Sequence, residues 1–163
     1  MTPLRFALVV LALLTLSACY TSKEALIGDD AVADHAGLTF LGEGDDAKPV
    51  TFTRDGNGYL TTADGEEARL HLKPVEGDYY VAQLSGPGEE GLPQLLYAFM
   101  RLDTGAGVAD TWLSVGTVAD VRPGLSECDD VICIDDLAAY IAYGQEKIAA
   151  GEAPDTTFKI TVE

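Results

Sequence analysis

The stretch that decides the fold is Val50-Thr51-Phe52-Thr53-Arg54-Asp55-Gly56-Asn57-Gly58-Tyr59-Leu60-Thr61-Thr62. Its centre, residues 55–58, consists of Asp, Gly and Asn, which are the residues that tight hairpin turns require. On each side lie four residues rich in Thr and in β-branched or aromatic side chains, the composition typical of strands. We therefore predict a β-hairpin with one strand over 50–53 and its partner over 59–62.

Short β-rich segments of this kind, each ended by Gly, Pro or Asp, extend over most of the chain. The additional segments are 38–41, 68–73, 79–84, 94–102, 110–115 and 156–162. Because the connections are short, neighbouring strands are expected to be antiparallel. We predict a single mainly β (α+β) domain over residues 37–163: an antiparallel β-meander or a small partly closed barrel with one C-terminal helix and a closing strand. An open twisted sheet and a barrel both fit the pattern.

The predicted helix precedes the closing strand. Four residues at steps of four, three and four share one of its faces: Leu137, Ile141, Gly144 and Ile148. Asp135 or Asp136 is placed to cap the first turn, and Gly151 stands where glycine commonly ends a helix. We expect the apolar face to pack on the sheet or over one end of the barrel.

The first 18 residues have the layout of a secretory leader. Residues 1–5 carry the positive charge of Arg5, and residues 6–18 are apolar or small. This apolar run is about 13 residues long, whereas a membrane-spanning helix needs roughly 20. We therefore predict that 1–18 is a cleaved signal peptide and that 19–36 is an N-terminal tether before the domain.

The residues at the end of the leader, Leu16-Ser17-Ala18-Cys19, resemble the lipobox of bacterial lipoproteins. The resemblance implies that Cys19 is acylated and becomes the mature N-terminus. Tyr20, rather than Asp, follows the cysteine, and this resembles the lipoproteins that reach the periplasmic face of the outer membrane. An ordinary secretory signal followed by an unrelated cysteine is the alternative.

The tail of the chain also carries a resemblance. A cysteine pair, an acidic helix start and Leu137-Ala138-Ala139-Tyr140-Ile141 together resemble small alphaproteobacterial lipoproteins of unknown function. The resemblance implies no activity.

If Cys19 is acylated, Cys128 and Cys133 remain as a pair. Export to an oxidising compartment then favours a disulfide between them. The acidic residues beside the pair oppose thiolate formation, so a redox-active motif is disfavoured. A metal site is also disfavoured, because the two histidines, His35 and His71, lie far away in the sequence.

The charge limits the choice of partners. The chain has 10 basic and 27 acidic residues, a net charge of −17; loss of Arg5 with the leader leaves nine basic residues and a net charge of −18. Such a surface repels nucleic acid, so we predict no nucleic-acid partner. It can attract a basic protein or cations, and it equally suits simple solubility.

No stretch carries a convincing catalytic or cofactor motif. Residues 55–66 begin like a calcium-binding EF-hand loop, but Leu60 occupies the sixth position, where glycine is needed. His71 could act as a general base only beside a nucleophile, and the sequence points to none. Ser114 and Ser126 lack the glycine-flanked nucleophile motif. We therefore expect no metal, no cofactor and no enzymatic activity, and a hydrolase with an unrecognised site is the weaker alternative.

The aromatic residues offer a different possibility: Tyr79, Tyr80, Tyr97, Phe99 and Trp112. These side chains either fill the core or line an apolar cleft in a barrel mouth. The favoured hypothesis is a lipid-anchored envelope protein, tied to the membrane through Cys19, that acts by contact with another envelope protein. Lipocalin-like binding of a small apolar ligand is the second hypothesis.

Overall fold

The computed structural model describes residues 19–63, 65–88 and 93–163. The predicted signal peptide, residues 1–18, lies outside the described residues. Eleven strands, one α-helix and one short 3-10 helix at Val118–Asp120 account for the regular structure of the described ranges. The strands are β1 Tyr20–Thr21, β2 Gly37–Leu41, β3 Val50–Asp55, β4 Gly58–Ala63, β5 Glu66–Glu76, β6 Tyr79–Pro87, β7 Pro93–Asp103, β8 Val108–Trp112, β9 Leu125–Cys128, β10 Val131–Ile134 and β11 Thr156–Val162; the helix, α1, is Leu137–Ala149.

Eight of these strands close into an antiparallel barrel. The strands β2 to β8 each pair with the next one along the chain, β11 pairs with β8, and the pairing of β11 with β2 closes the ring. The prediction of a mainly β fold with one C-terminal helix and a closing strand is confirmed. Of the two arrangements that the sequence left open, the barrel is the one observed.

The predicted hairpin is confirmed as the connection between β3 and β4. Asp55 pairs with Gly58 across a two-residue loop, and Thr53 pairs with Leu60. Gly56 in this loop has φ +65°, a left-handed backbone that glycine adopts without a steric penalty. Val50 and Phe52 are buried while the threonines between and after them are exposed, so the alternation turns one face of β3 toward the core.

The strand β7 is buried on both faces. Its inward side chains, Met100 and Leu102, join the core that fills the barrel. Its outward side chains, Tyr97 and Phe99, join a second core, formed on the outside of the barrel by β1, β10 and α1. Burial on both faces explains why residues 94–102 form the most apolar run after residue 18.

Helix α1 packs on the outside of the barrel, over β7. Asp136 caps the helix by accepting a hydrogen bond from the Ala138 backbone N–H at 2.9 Å, and Gly151, with φ +73°, follows its end. The predicted apolar face is correct only in part. Tyr140, Tyr143 and Gly144 are the buried residues, whereas the other three predicted positions are half-buried at the flank of the contact: Leu137, Ile141 and Ile148.

The shift of the buried face has a steric cause. A Cβ atom at Gly144 would lie 2.4 Å from a ring carbon of Phe99, so the absence of a side chain lets the helix approach β7 closely. This close approach lets Tyr140 become completely buried, with its hydroxyl donating to the Leu113 carbonyl at 2.9 Å.

Gly144→Ala should therefore destabilise the protein, although alanine is the better helix former. We expect a loss of about 1–3 kcal/mol in the free energy of unfolding, the usual cost of overpacking a core, measured by urea denaturation. Gly28→Ala is the matched control, because no atom lies within 4 Å of a Cβ atom at that position. Equal stability of Gly144→Ala and wild type would contradict the close contact between α1 and Phe99.

Candidate functional site

The candidate functional site is the N-terminal segment that leads from Cys19 into the barrel. The sequence predicts a tether over 19–36, but the structure shows a strap packed along the barrel wall. We call residues 20–36 the N-terminal strap. Ile27, Ala31 and Ala33 in this strap are buried. The prediction missed this because the segment is short, polar and weakly periodic, and its partners lie far away in the sequence.

The strap begins inside a sheet. Tyr20 pairs with Tyr97 of β7 on one side and with Ile132 of β10 on the other, the latter as a parallel pair. The Tyr20 ring is completely buried and makes an edge contact with Tyr140, with centroids 5.2 Å apart. The Thr21 hydroxyl donates to the Leu95 carbonyl at 2.7 Å. The first two residues after the predicted lipobox are therefore already fixed to the barrel.

Gln83 of β6 holds the middle of the strap and is itself only 1% exposed. Its Oε1 atom accepts from the backbone N–H groups of Leu26 and Ile27, at 2.8 and 2.9 Å, and from the Tyr97 hydroxyl at 2.8 Å. Its Nε2 group donates to the Ile27 carbonyl at 3.2 Å. One amide side chain thus pairs with three backbone groups of the strap, and it is the partner that keeps the N–H and the carbonyl of Ile27 satisfied at the buried wall.

The end of the strap crosses β5 and enters the barrel. Asp30 forms an ion pair with Lys73, and the Val32 N–H donates to the Leu72 carbonyl at 2.8 Å. The ion pair lowers the pKa of the Asp30 carboxyl. Ala33 then joins the core inside the barrel. The strap therefore covers one end of the barrel before β2 begins.

Cys19 lies immediately before β1. Its thiol is half-buried and does not take part in the disulfide, and burial raises its pKa. Cys128 and Cys133 are joined in a disulfide with 5.8 Å between their Cα atoms. The disulfide bridges the β9–β10 hairpin, whose turn residues Asp129 and Asp130 have positive φ angles of 47° and 64°. The sequence did not reveal that these cysteines lie on a pair of strands.

The structure does not bring the candidate catalytic residues together. Ser114 is buried and bonds through its hydroxyl to Asp155 at 3.2 Å, and Ser126 lies in β9. His71 lies on the outer face of β5, where it faces Gln83 on β6. The EF-hand-like stretch is the β3–β4 hairpin and the strands beside it. Among the described ranges, no three His, Cys, Asp or Glu side chains are grouped to hold a metal ion.

The aromatic residues do not line one cleft. Tyr80 belongs to the barrel interior, whereas four of the five pack in the outer core beneath α1 and the strap: Tyr79, Tyr97, Phe99 and Trp112. The barrel does contain an apolar cavity of about 60 Å³, but of the five aromatic residues only Tyr97 borders it, and its other walls include Phe40, Phe52 and Phe158.

A buried polar cluster on the outer core has no sequence signal. Asp120, in the 3-10 helix, accepts from the Tyr143 hydroxyl, and the Arg122 guanidinium lies 3.4 Å from the centroid of the Tyr143 ring. Burial acts to raise the pKa of Asp120, but the hydrogen bonds from Tyr143 and Thr117 outweigh it and the pKa is lowered. The cluster thus joins α1 to the loop that follows β8.

Comparisons of the chain with protein-family models, curated proteins and solved structures gave no match. The fold therefore defines the class on its own: an eight-stranded antiparallel barrel with a buried N-terminal strap and an external helix. In the part of the chain that the structure describes, no helix has the length and apolar character needed to cross a membrane.

Replacing Gln83 by leucine should destabilise the protein by several kcal/mol. The substitution keeps the size of the side chain but leaves the N–H and the carbonyl of Ile27 unpaired, at about 1–3 kcal/mol for each buried group. The Leu26 N–H keeps the Tyr97 hydroxyl as its acceptor. Thermal denaturation followed by circular dichroism measures the effect. Gln94→Leu, at an exposed position on β7, is the matched control. Similar melting of the two variants would mean that Gln83 does not hold the strap.

His71 should make the stability depend on pH. Burial, and then the charge of Arg69, lower the pKa of this imidazole. The unfolded chain, whose histidine pKa is about 6.5, therefore binds more protons below that pH than the folded chain does. Stability should be lost as the pH falls from about 6.5, and less steeply in His71→Gln. Urea titrations at about pH 7.5 and 5.5 test this; identical losses in both proteins would contradict it.

Proposed function

We propose that this protein is a lipid-anchored protein of the bacterial cell envelope and that its barrel acts as a non-enzymatic interaction module. The observation that carries the proposal is the position of Cys19. Its half-exposed, unbridged thiol lies next to the first residue of the sheet. Cleavage after residue 18 would make Cys19 the first residue of the protein, directly before β1.

The proposed anchor comes without a flexible linker. One residue spans at most about 3.6 Å of chain, and Tyr20, the residue after Cys19, is fixed by pairs on both sides. An acylated Cys19 would thus hold the barrel against the bilayer in a restricted set of orientations. Two or three acyl chains, as bacterial lipoproteins carry, would make the attachment lasting.

The acidic surface is the feature that favours contact with another envelope protein. With a net charge of −18 after cleavage, the module would attract a partner with a basic face and repel anionic lipid headgroups. A barrel held close to such headgroups would turn its less acidic side to the membrane and leave the acidic sides for the partner. We place the protein at the periplasmic face of the outer membrane, because Tyr20 and not Asp follows the cysteine.

Lipocalin-like binding is the second candidate, and the cavity in the barrel favours it. The cavity has apolar walls that include Phe52, Leu84 and Met100. Its volume of about 60 Å³ is small beside the 300–1,000 Å³ of typical ligand pockets. Without rearrangement of the core it would accept only a very small apolar group, so the interaction module is the better supported function.

Cys19→Ser tests the proposal. In the native host, the wild-type protein should be recovered in the membrane fraction with a diacylglycerol modification at residue 19. The variant should lose the modification and leave that fraction, because no acyl chain then holds it. Intact-mass spectrometry and fractionation are the measurements.

The matched control removes the other two cysteines together, Cys128→Ser with Cys133→Ser, and should leave fractionation unchanged. The proposal fails if the wild-type protein retains residues 1–18 or if Cys19→Ser remains acylated and membrane-bound. Loss of membrane association in the control alone would assign the attachment to the hairpin instead of Cys19.

A further inference from the structure

The end of the barrel that the strap enters contains a second cavity, of about 80 Å³. It lies between the strap and the turns that connect β5 to β6 and β7 to β8. Its walls include two carboxylates, two tyrosines, one histidine and apolar side chains such as Leu72: Asp34, Asp78, Tyr59, Tyr80 and His35. This composition differs from that of the apolar cavity, and neither the anchor nor the acidic surface accounts for it.

The two carboxylates come from different elements and face the same space. Asp34 is in the strap and Asp78 is in the β5–β6 turn, and both are exposed. Neither belongs to the ion pairs found within the described ranges. Burial first, and then the charges of Asp34 and Asp78, raise the pKa of Tyr80. The negative potential at the mouth of the cavity is therefore not neutralised by a paired side chain.

Tyrosine rings form the rest of the binding surface. Tyr59 is almost completely buried, and its hydroxyl accepts from the His35 backbone N–H at 3.3 Å, which fixes the ring. Tyr80 is half-buried, so part of its surface remains open to the cavity. Arg54 brings a positive charge near Tyr59, where it acts to lower the pKa of that tyrosine. The other nearby cation, Lys73 of β5, is already paired with Asp30.

The size and chemistry of the cavity limit the ligand. A water molecule needs about 10–15 Å³ of such volume, so about 80 Å³ holds a group of roughly five to eight non-hydrogen atoms. Hard metal ions prefer six or more oxygen ligands, and no metal-holding group of side chains is present among the described residues. Quaternary ammonium groups, in contrast, bind against aromatic rings with carboxylates nearby.

We propose that this cavity binds the head of a small organic cation of the choline type, with Tyr59 and Tyr80 against its methyl groups and Asp34 and Asp78 supplying the opposite charge. The cation would be a free solute, since the phosphate of a choline lipid would meet the same carboxylates. This site does not rest on the proposed function, because it requires no anchor and no protein partner.

Calorimetric titration of the full-length protein with choline tests the proposal. A detergent with an uncharged sugar headgroup keeps competing ammonium groups out of the sample. We expect saturable one-site binding, at least about ten-fold weaker binding of the neutral isostere 3,3-dimethylbutanol, and weaker binding of phosphocholine. Sodium chloride at matched ionic strength should give no saturable signal.

Variants distinguish binding in this cavity from a general effect of the protein's negative charge. Asp78→Asn and Tyr80→Leu should each weaken choline binding by about five-fold or more, whereas Tyr80→Phe keeps the ring and should bind within about two-fold of wild type. Asp129→Asn is the matched control: it removes the same charge at the β9–β10 turn, where asparagine also tolerates the positive φ angle. Thermal melts verify that each variant is folded.

Four results would overturn the proposal: no saturable choline binding, equal binding of the neutral isostere, tighter binding of phosphocholine or of phosphatidylcholine vesicles than of choline, or unchanged binding in folded Tyr80→Leu. Tight calcium binding without choline binding would identify a metal site and would also overturn it. A Cys19→Ser result that contradicts the proposed anchor would leave all of these choline-binding results unaffected.

Discussion

The fold depends on the burial of β7 on both of its faces. One face closes the core inside the barrel, and the other supports a second core under α1, β1 and β10. The barrel and the outer layer therefore share one wall, and neither can be removed without exposing apolar surface of β7. Burial contributes roughly 25 cal/mol for each Å² of apolar surface removed from water, so the side chains of this one strand stabilise both layers. Gly144 and Phe99 set how closely the outer layer approaches.

The strap follows from the same wall. Tyr97 points outward from β7, and its hydroxyl meets Gln83 and the Leu26 N–H group. These polar groups are buried because the strap covers them, and the strap is ordered because they satisfy its backbone. The N-terminal segment is thus part of the domain, and anything attached at Cys19 is attached to a rigid body. This distinguishes the proposed anchor from one at the end of a flexible linker, which would leave orientation free.

The sequence predicts the local features well, because their signals are local. The hairpin at 55–58 rests on turn chemistry within four residues, and the helix limits rest on Asp136 and Gly151. The features that the sequence did not predict depend on distant contacts. Barrel closure requires β11 to pair with β2, more than 100 residues away. The burial of the strap depends on Gln83, 56 residues beyond Ile27. The cavity of about 80 Å³ likewise gathers residues from the strap and two turns.

Hydrogen exchange of residues 20–33, followed by mass spectrometry on the full-length protein in membranes, tests the central claim most directly. If the strap is bound as described, the Leu26 and Ile27 amides should exchange as slowly as the amides in the barrel strands, since both donate to a buried acceptor. Exchange as fast as in a free peptide would show that the segment is a tether after all, and a rigidly held anchor would no longer be tenable.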